Sequence, residues 1–360
     1  MTRKIQILIL FIVILLSCNK GDEVGTIPAN EGLPFISAVD LSSFPEISNA
    51  SPIFHDLDGN QKDLLMILKE NGVNTIRLRL WVNPNNGHSG FDEVKQFSQN
   101  VKGLGFKTWI SLHYSDSWAD PGNQETPAQW QGLSFSNLKD SVYAYTQKVI
   151  TEIKPNYIQI GNEINAGILH PDGNILTNYE NFISIIKEGC AAVREYSNDC
   201  KIILHFAGIE NSEWFFSQLN AIDYDIIGLS YYPIWHGKSL NELKTTMQNL
   251  SVSNNKQILI AETAYPFTLE WNDWTNNIIG LDEQLILPEY PATPVGQRKF
   301  IYQIKSMVRE TKNGIGFCYW GAELIAWKGS QSIDASPWEN QALFDFNNQA
   351  LPVLNEFKNE

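Results

Sequence analysis

The sequence predicts a single (β/α)8 TIM barrel. Three observations lead there. Eight apolar runs recur at fairly regular intervals, and the two that lead into Glu163 and Glu262 are continuously apolar, short and β-branched, as strands buried on both faces are. Helical patterns lie between the runs, and no linker interrupts the chain after residue 30. A doubly wound open sheet is the alternative. It asks for a glycine-rich phosphate loop after the first strand, and Val39-Asp40-Leu41-Ser42-Ser43 is not one.

Taken in order, the first run is Phe35–Leu41, which carries Asp40 near its end. The helical stretch Lys62–Glu70 follows and is closed by Asn71-Gly72, a C-terminal stop signal. Thr75–Trp81 ends on Arg79 and Trp81, and Lys107–His113 ends on His113 with Asp116 just beyond. Tyr157–Gly161 leads into Asn162-Glu163, and a second clear helical pattern spans Asn181–Tyr196. Lys201–Phe206 contains His205, Ile226–Ser230 precedes Tyr231-Tyr232, Ile258–Ala261 precedes Glu262, and Gly314–Trp320 ends on Trp320. In a barrel of this kind, reactive side chains gather at the C-terminal ends of the strands. These ends are polar or aromatic throughout.

Glu163 and Glu262 stand out among them. A carboxylate just past a buried strand is costly unless something uses it. Two of them, after the fourth and seventh runs, are the raw material for cleaving a glycosidic bond. A retaining glycosidase needs one carboxyl protonated and its partner ionised, which requires unequal surroundings. Arg79 is expected to reach Glu262 and keep it ionised as the nucleophile. Tyr231 is expected to orient Glu262 by a hydrogen bond. Asn162 suits a contact to the sugar 2-hydroxyl, with Glu163 as general acid and then base. Trp320 would floor the subsite holding the reacting sugar.

The first residues read as a leader, not as part of the fold. Residues 1–18 carry Arg3 and Lys4, a short apolar core and Leu15-Leu16-Ser17-Cys18. The core is short for a membrane span. The ending resembles a bacterial lipoprotein signal, in which Cys18 is lipidated after cleavage. Residues 19–33 read as a polar tether, and Lys20-Gly21-Asp22-Glu23 loosely resembles a surface-export signal of Bacteroidetes lipoproteins. The expected location is the outer membrane, on its surface or facing the periplasm, with the lipid as the only membrane contact. Residues 34–360 form the barrel domain.

Composition narrows the partners. Losing Arg3 and Lys4 takes the formal charge from -14 to -16, and a chain this acidic without a Lys/Arg cluster is a poor nucleic-acid ligand. The 11 Trp and 13 Tyr offer flat faces for sugar rings beyond what core packing uses. No Cys/His spacing suggests zinc. Cys190 and Cys200 could be bridged or free in an exported protein, and Cys318 reads as a buried small hydrophobe. No oligomer signal is evident, so a monomer is expected.

Longer strings narrow the reading. They are Ala38-Val39-Asp40-Leu41-Ser42-Ser43, Arg77-Leu78-Arg79-Leu80-Trp81, and His113 to Pro121 (His-Tyr-Ser-Asp-Ser-Trp-Ala-Asp-Pro). They continue as Gly161-Asn162-Glu163-Ile164-Asn165, Gly228 to Pro233 with Trp235-His236-Gly237, Glu262-Thr263-Ala264-Tyr265-Pro266, and Glu339 to Asp345. In this order they resemble glycoside hydrolase family 53, the clan A endo-β-1,4-galactanases, from about residue 34 to 353. The resemblance implies retaining endo-hydrolysis of the β-1,4-galactan side chains of pectin, or arabinogalactan I, with no cofactor in catalysis. It makes Glu163 the acid/base and Glu262 the nucleophile. It places Arg79, His113, Asn162, Tyr231 and Trp320 around them, Asp116 and Trp118 on the glycone side, and Trp235 and His236 nearby. Two alternatives are a clan A enzyme acting on mannan, xylan or glucan, and a non-catalytic sugar-binding barrel, which would lack one carboxylate.

Some bacterial members of that family bind calcium between the loops after strands seven and eight, through an Asp-x-Asp-x-His-x-Asn pattern. The matching stretch here is Trp271-Asn272-Asp273-Trp274-Thr275-Asn276-Asn277. Asp273 and Asn277 persist, while the first Asp and the His do not. Two readings stay open: a structural calcium held by Asp273 and Asn277, with Thr275, Glu339 or carbonyls completing the shell, or loops held by packing alone.

Overall fold

Side chains alternate along a strand, so every second residue of each apolar run faces the barrel axis. In the computed structural model, which describes residues 35–358, the eight runs form eight parallel strands: β1 (Ile36–Asp40), β2 (Thr75–Leu80), β3 (Lys107–Leu112), β4 (Tyr157–Ile160), β5 (Lys201–Ala207), β6 (Ile226–Ser230), β7 (Gln257–Thr263) and β8 (Gly314–Tyr319). Each pairs with the next, and β8 closes on β1 with Val39 opposite Tyr319. The expected leader, Cys18 and the tether at 19–33 lie outside the described residues.

Helices cover the outside: α1 (Leu64–Glu70), α2 (Phe91–Gly103), α3 (Phe135–Glu152), α4 (Tyr179–Tyr196), α5 (Ser212–Ser217), α6 (Leu240–Asn254) and α7 (Pro294–Glu310). A 3-10 turn at Pro352–Phe357 takes the eighth position and packs Phe357 on Phe317 of β8. The sequence sets several of the starts. Asp63 accepts the N–H groups of Leu65 and Met66 at α1, Ser134 accepts Asn137 N–H at α3, and Thr293 with Pro294 opens α7. The first helix therefore begins two residues inside the expected Lys62–Glu70. No helix among the described residues is long and apolar enough to cross a membrane.

The core has two parts. A large shell between strands and helices includes Ile76, Leu78, Ile110, Ile158, Phe182 and Phe300. A smaller group inside the barrel includes Ile36, Ala38, Trp109, Tyr157, Ile203, Leu259 and Ala261. These inward residues plug the lower barrel. The next inward positions up the same strands are Asp40, Arg77, Ser111, Gln159 and His205, so the interior turns polar toward the strand ends. Cys190, Cys200 and Cys318 are all buried and free, so the question left open for the first two resolves as thiols.

Candidate active site

The two glutamates reach the barrel mouth by different backbone devices. After β4 the chain turns through Gly161 at φ 78°, where a Cβ would meet Ile164 Cγ2 at 2.4 Å, so glycine is required. Glu163 itself sits at φ 46°, an uncommon conformation for a residue with a side chain. Gln124, from the loop after β3, clamps this bend. Its buried Nε2 donates to Asn162 O at 2.8 Å and Glu163 O at 3.3 Å. On β7 an extra residue disturbs the pairing, because Leu229 opposes Ile260 while Ser230 opposes Glu262. That irregularity resets the alternation after Ala261 and turns Glu262 inward.

Arg77 binds this arrangement together. Its Nη1 donates to Asp40 Oδ2 at 2.7 Å, and Nη2 donates to Glu262 Oε1 at 2.7 Å and Asn162 Oδ1 at 3.0 Å. Burial works against its charge, but Glu262 and Asp40 outweigh that and hold its pKa above the ordinary value. Tyr232 OH donates to Glu262 Oε2 at 3.1 Å. One carboxylate oxygen of Glu163 and one of Glu262 lie within 4.8 Å of each other, with a His205 ring nitrogen equally near.

The pair is electrostatically unequal. Burial, and then the charge of Glu262, push the Glu163 carboxyl up to about 8, with the Ser230 hydroxyl opposing. Burial also raises Glu262, but Arg77 and the Tyr232 hydroxyl pull it back. Glu262 therefore ionises first and Glu163 keeps the proton. His113 is held neutral by burial and by the nearby Arg79 and Arg77, and its Nδ1 accepts Ala119 N–H.

A cavity of about 690 Å³ opens over the pair. Arg79, His113, Trp118, Asn162, Trp235, His236 and Trp320, all expected at the site, line it together with both glutamates. One wall is a run of rings: Trp118 to Trp320 at 6.1 Å, Trp320 to Trp338 at 4.5 Å, and Trp338 to Trp235 at 5.9 Å. Arg79 stands behind the near end, its guanidinium 4.3 Å from the Trp81 ring and 4.1 Å from that of Trp118.

Three expectations are corrected. The cation on Glu262 is Arg77, not Arg79. Both face inward, but Arg77 is two residues deeper, level with the carboxylates, whereas Arg79 Nε bonds Ser89 Oγ at the rim. The tyrosine on Glu262 is Tyr232, not Tyr231. Alternation from Ser230 turns Tyr232 inward, and Tyr231 OH donates instead to Gly237 O. Asp116 does not line the cavity. Its two oxygens are taken by Asn83 N–H and Ala128 N–H, which ties two loops, and Asp120 lines the cavity instead.

Sequence reasoning also missed Gln124, Ser230 and Trp338. Ser230 could have been found by counting inward positions from Ile226. Trp338 lies one residue before the Glu339 string. Gln124 carries no sequence signal, because its role depends on a loop folding back.

The stretch at 271–277 meets the loop after β8. Glu339 Oε1 accepts Asn272 N–H at 2.6 Å, and Asp273 Oδ1 accepts Thr275 N–H at 2.6 Å. Asp273 Oδ2, Asn277 Oδ1 and Glu339 Oε2 are buried without a hydrogen-bond partner among the described residues. Unpartnered buried oxygens are costly, and oxygen donors of this kind suit a hard cation.

Residues 36–357 match the family model of glycosyl hydrolase family 53. The chain belongs to that family. Across 357 residues it is 33% identical to an arabinogalactan endo-beta-1,4-galactanase of Cellvibrio japonicus, covering 92% of this chain and 93% of that one. It is 30% identical to an endo-beta-1,4-galactanase of Bacillus subtilis, covering 90% and 85%. Among solved structures, the Ignisphaera aggregans GH53 catalytic domain superposes with a TM-score of 0.84 at 37% identity, over 92% of this chain and 98% of that one. In this family 53 chain Glu163 follows β4 and Glu262 lies on β7.

Proposed function

We propose that this family 53 protein is an endo-β-1,4-galactanase that cleaves galactan with retention at the anomeric carbon. The observation that carries the mechanism is the spacing of the two glutamates. Oxygens within 4.8 Å of each other fit the spacing of about 5–5.5 Å in a retaining pair better than the roughly 6.5–9.5 Å of an inverting one. The named relatives support galactan as the substrate.

In the first step Glu262, ionised and held by Arg77 and Tyr232, attacks the anomeric carbon. Glu163 gives its proton to the departing oxygen. In the second step Glu163 takes a proton from water, which displaces Glu262. The charge that leaves Glu262 during attack is the charge that Arg77 balances, so Asp40 keeps the guanidinium paired through the cycle. Asn162 Nδ2 donates one hydrogen to Ala119 O and keeps a second for the sugar 2-hydroxyl. The tryptophan wall supplies stacking faces for successive rings, and Arg79, His113 and His236 supply polar edges.

Reducing-sugar release from galactan, mannan and xylan tests the substrate. Release from galactan alone is expected, and release from mannan or xylan without galactan would remove the galactanase reading. Calcium between the loops after β7 and β8, on Asp273, Asn277 and Glu339, would act structurally. Lipidation of Cys18 would tether the enzyme to the outer membrane. Fatty-acid labelling that survives in C18A contradicts it.

A further inference from the structure

Behind Glu163, away from the cavity, lies a chain of two buried side chains. Ser230 Oγ donates to Glu163 Oε1 at 2.5 Å, and the same Oγ lies 2.9 Å from His205 Nε2. Ser230 and His205 are fully buried, and neither lines the cavity. Their place is made by sequence. Both are inward positions on adjacent strands, and Gly228 leaves space beside the imidazole, where a Cβ would come 3.6 Å from His205 Cδ2 and 3.1 Å from Ala261 Cβ.

The surrounding bonds fix which way the hydrogens point. Gln159 Nε2 donates its two hydrogens to Gly161 O at 3.0 Å and Asn162 Oδ1 at 2.9 Å, and it also lies 3.0 Å from His205 Nδ1. The Glu163 backbone N–H points at Nδ1 at 3.4 Å, and because a backbone N–H only donates, it marks Nδ1 as an acceptor. Asn162 Oδ1, 3.1 Å from the same nitrogen, already accepts Arg77 Nη2 and Gln159 Nε2 and does not need it. Nδ1 is thus the acceptor, and the ring proton lies on Nε2. It is donated to Ser230 Oγ, whose own hydrogen is left for Glu163 Oε1.

We propose that Ser230 and His205 are positioning residues that keep the transferable proton of Glu163 on Oε2. An Oε1 that already accepts a hydroxyl hydrogen is a poor place for the acid proton. Oε2 has no protein partner among the described residues, and Glu163 lines the cavity. Glycosidic oxygen then meets the protonated edge of the carboxyl. After the proton has left, the same hydroxyl stabilises the carboxylate that acts as base. This inference rests on Glu163 being the acid/base of the proposed galactanase.

The sign of the effect follows. Ser230 donates to the ionised form of Glu163 and so opposes the rise in its pKa. The other groups around this carboxyl are Glu262 from β7, Arg77 from β2, Asp120 from the loop after β3, Tyr232 after β6 and His205 from β5, which burial keeps neutral. Of these only His205 touches Ser230, and it stays neutral when its Nε2 hydrogen loses that acceptor, because burial still disfavours its charge. Without its hydroxyl the alkaline limb of kcat/KM moves to higher pH while the rate falls.

The test compares wild type, S230A and S230T as full chains on linear β-1,4-galactan and on a dinitrophenyl β-galacto-oligoside, whose leaving group needs no proton. S230A is expected to lose roughly tenfold to a hundredfold in kcat/KM on galactan. It should lose much less on the dinitrophenyl substrate and show the upward limb shift, and S230T should recover most of the rate. S230C, which keeps volume but donates weakly, carries the same prediction if S230A does not fold. An unchanged rate and limb would overturn the proposal, as would equal losses on both substrates without a limb shift. Wild type inactive on galactan would instead sink the underlying reading.

Discussion

Arg77 and Glu262 meet at 2.7 Å inside the barrel, and both side chains are almost cut off from water. Asp40 holds the other arm of the same guanidinium at 2.7 Å. A cation shared by two carboxylates at this depth does more than stabilise. It keeps one member of a crowded glutamate pair ionised while burial protonates the other, which is the asymmetry a double displacement needs.

Arginines 77 and 79 should therefore fail differently. R77M leaves Asp40 and Glu262 buried without their cation and should cost about 3–5 kcal/mol of stability, together with nearly all activity. R79M removes a cation from between two tryptophans and no ion pair. It should raise KM with a smaller change in kcat and melting temperature. Melting curves and steady-state kinetics on galactan check both. A stable, active R77M beside an unstable R79M would reverse the assignment.

The two glutamates should separate by leaving group. E163A is expected to be crippled on galactan, yet to recover on an activated aryl glycoside and with azide. E262A should lose activity on both substrates by about 10⁴ or more. Near-normal turnover by E262A would show that the nucleophile lies elsewhere.

The pH profile of kcat/KM should be bell-shaped. Activity needs protonated Glu163, so it falls as pH rises through about 8. It also needs ionised Glu262, whose pKa burial raises, so the acid limb should lie above the usual glutamate range. E262A cannot report this limb, but E163Q can report the other in stability. A carboxyl whose pKa is raised on folding contributes stability below its unfolded value and loses it as pH rises through about 8. E163Q should melt above wild type at pH 9 and lose that advantage by pH 5. A constant difference across this range would place the Glu163 pKa elsewhere.

Calcium should appear as a melting shift. If the unpartnered oxygens of Asp273, Asn277 and Glu339 hold the ion, free calcium at a hundredfold excess over Kd adds about 2.7 kcal/mol. Chelator should lower the melting temperature of wild type but not of D273A. Metal analysis without calcium, and no chelator shift, would leave these loops held by packing.

The barrel was legible because its strands are short, apolar and evenly spaced, and each expected run became a strand within a few residues. Glu163 and Glu262 were legible as charges that buried strands do not ordinarily end on. Depth was not legible. Arg77 and Arg79 share an inward face, and only the closed barrel shows which one is level with the carboxylates. Parity was legible on β6, where counting from Ile226 selects Ser230 and Tyr232 over Tyr231. It was hidden on β7, because the extra residue at Ala261 resets the count before Glu262. Contacts made by returning loops, such as Gln124 on the Glu163 backbone and Asp116 on two amides, depend on paths that no local pattern encodes.

The most direct test is proton NMR of the first products released from linear β-1,4-galactan. The reading predicts the β-anomer first, followed by mutarotation to the α form. The α-anomer first, or no cleavage of galactan, would contradict a retaining galactanase built on Glu163 and Glu262.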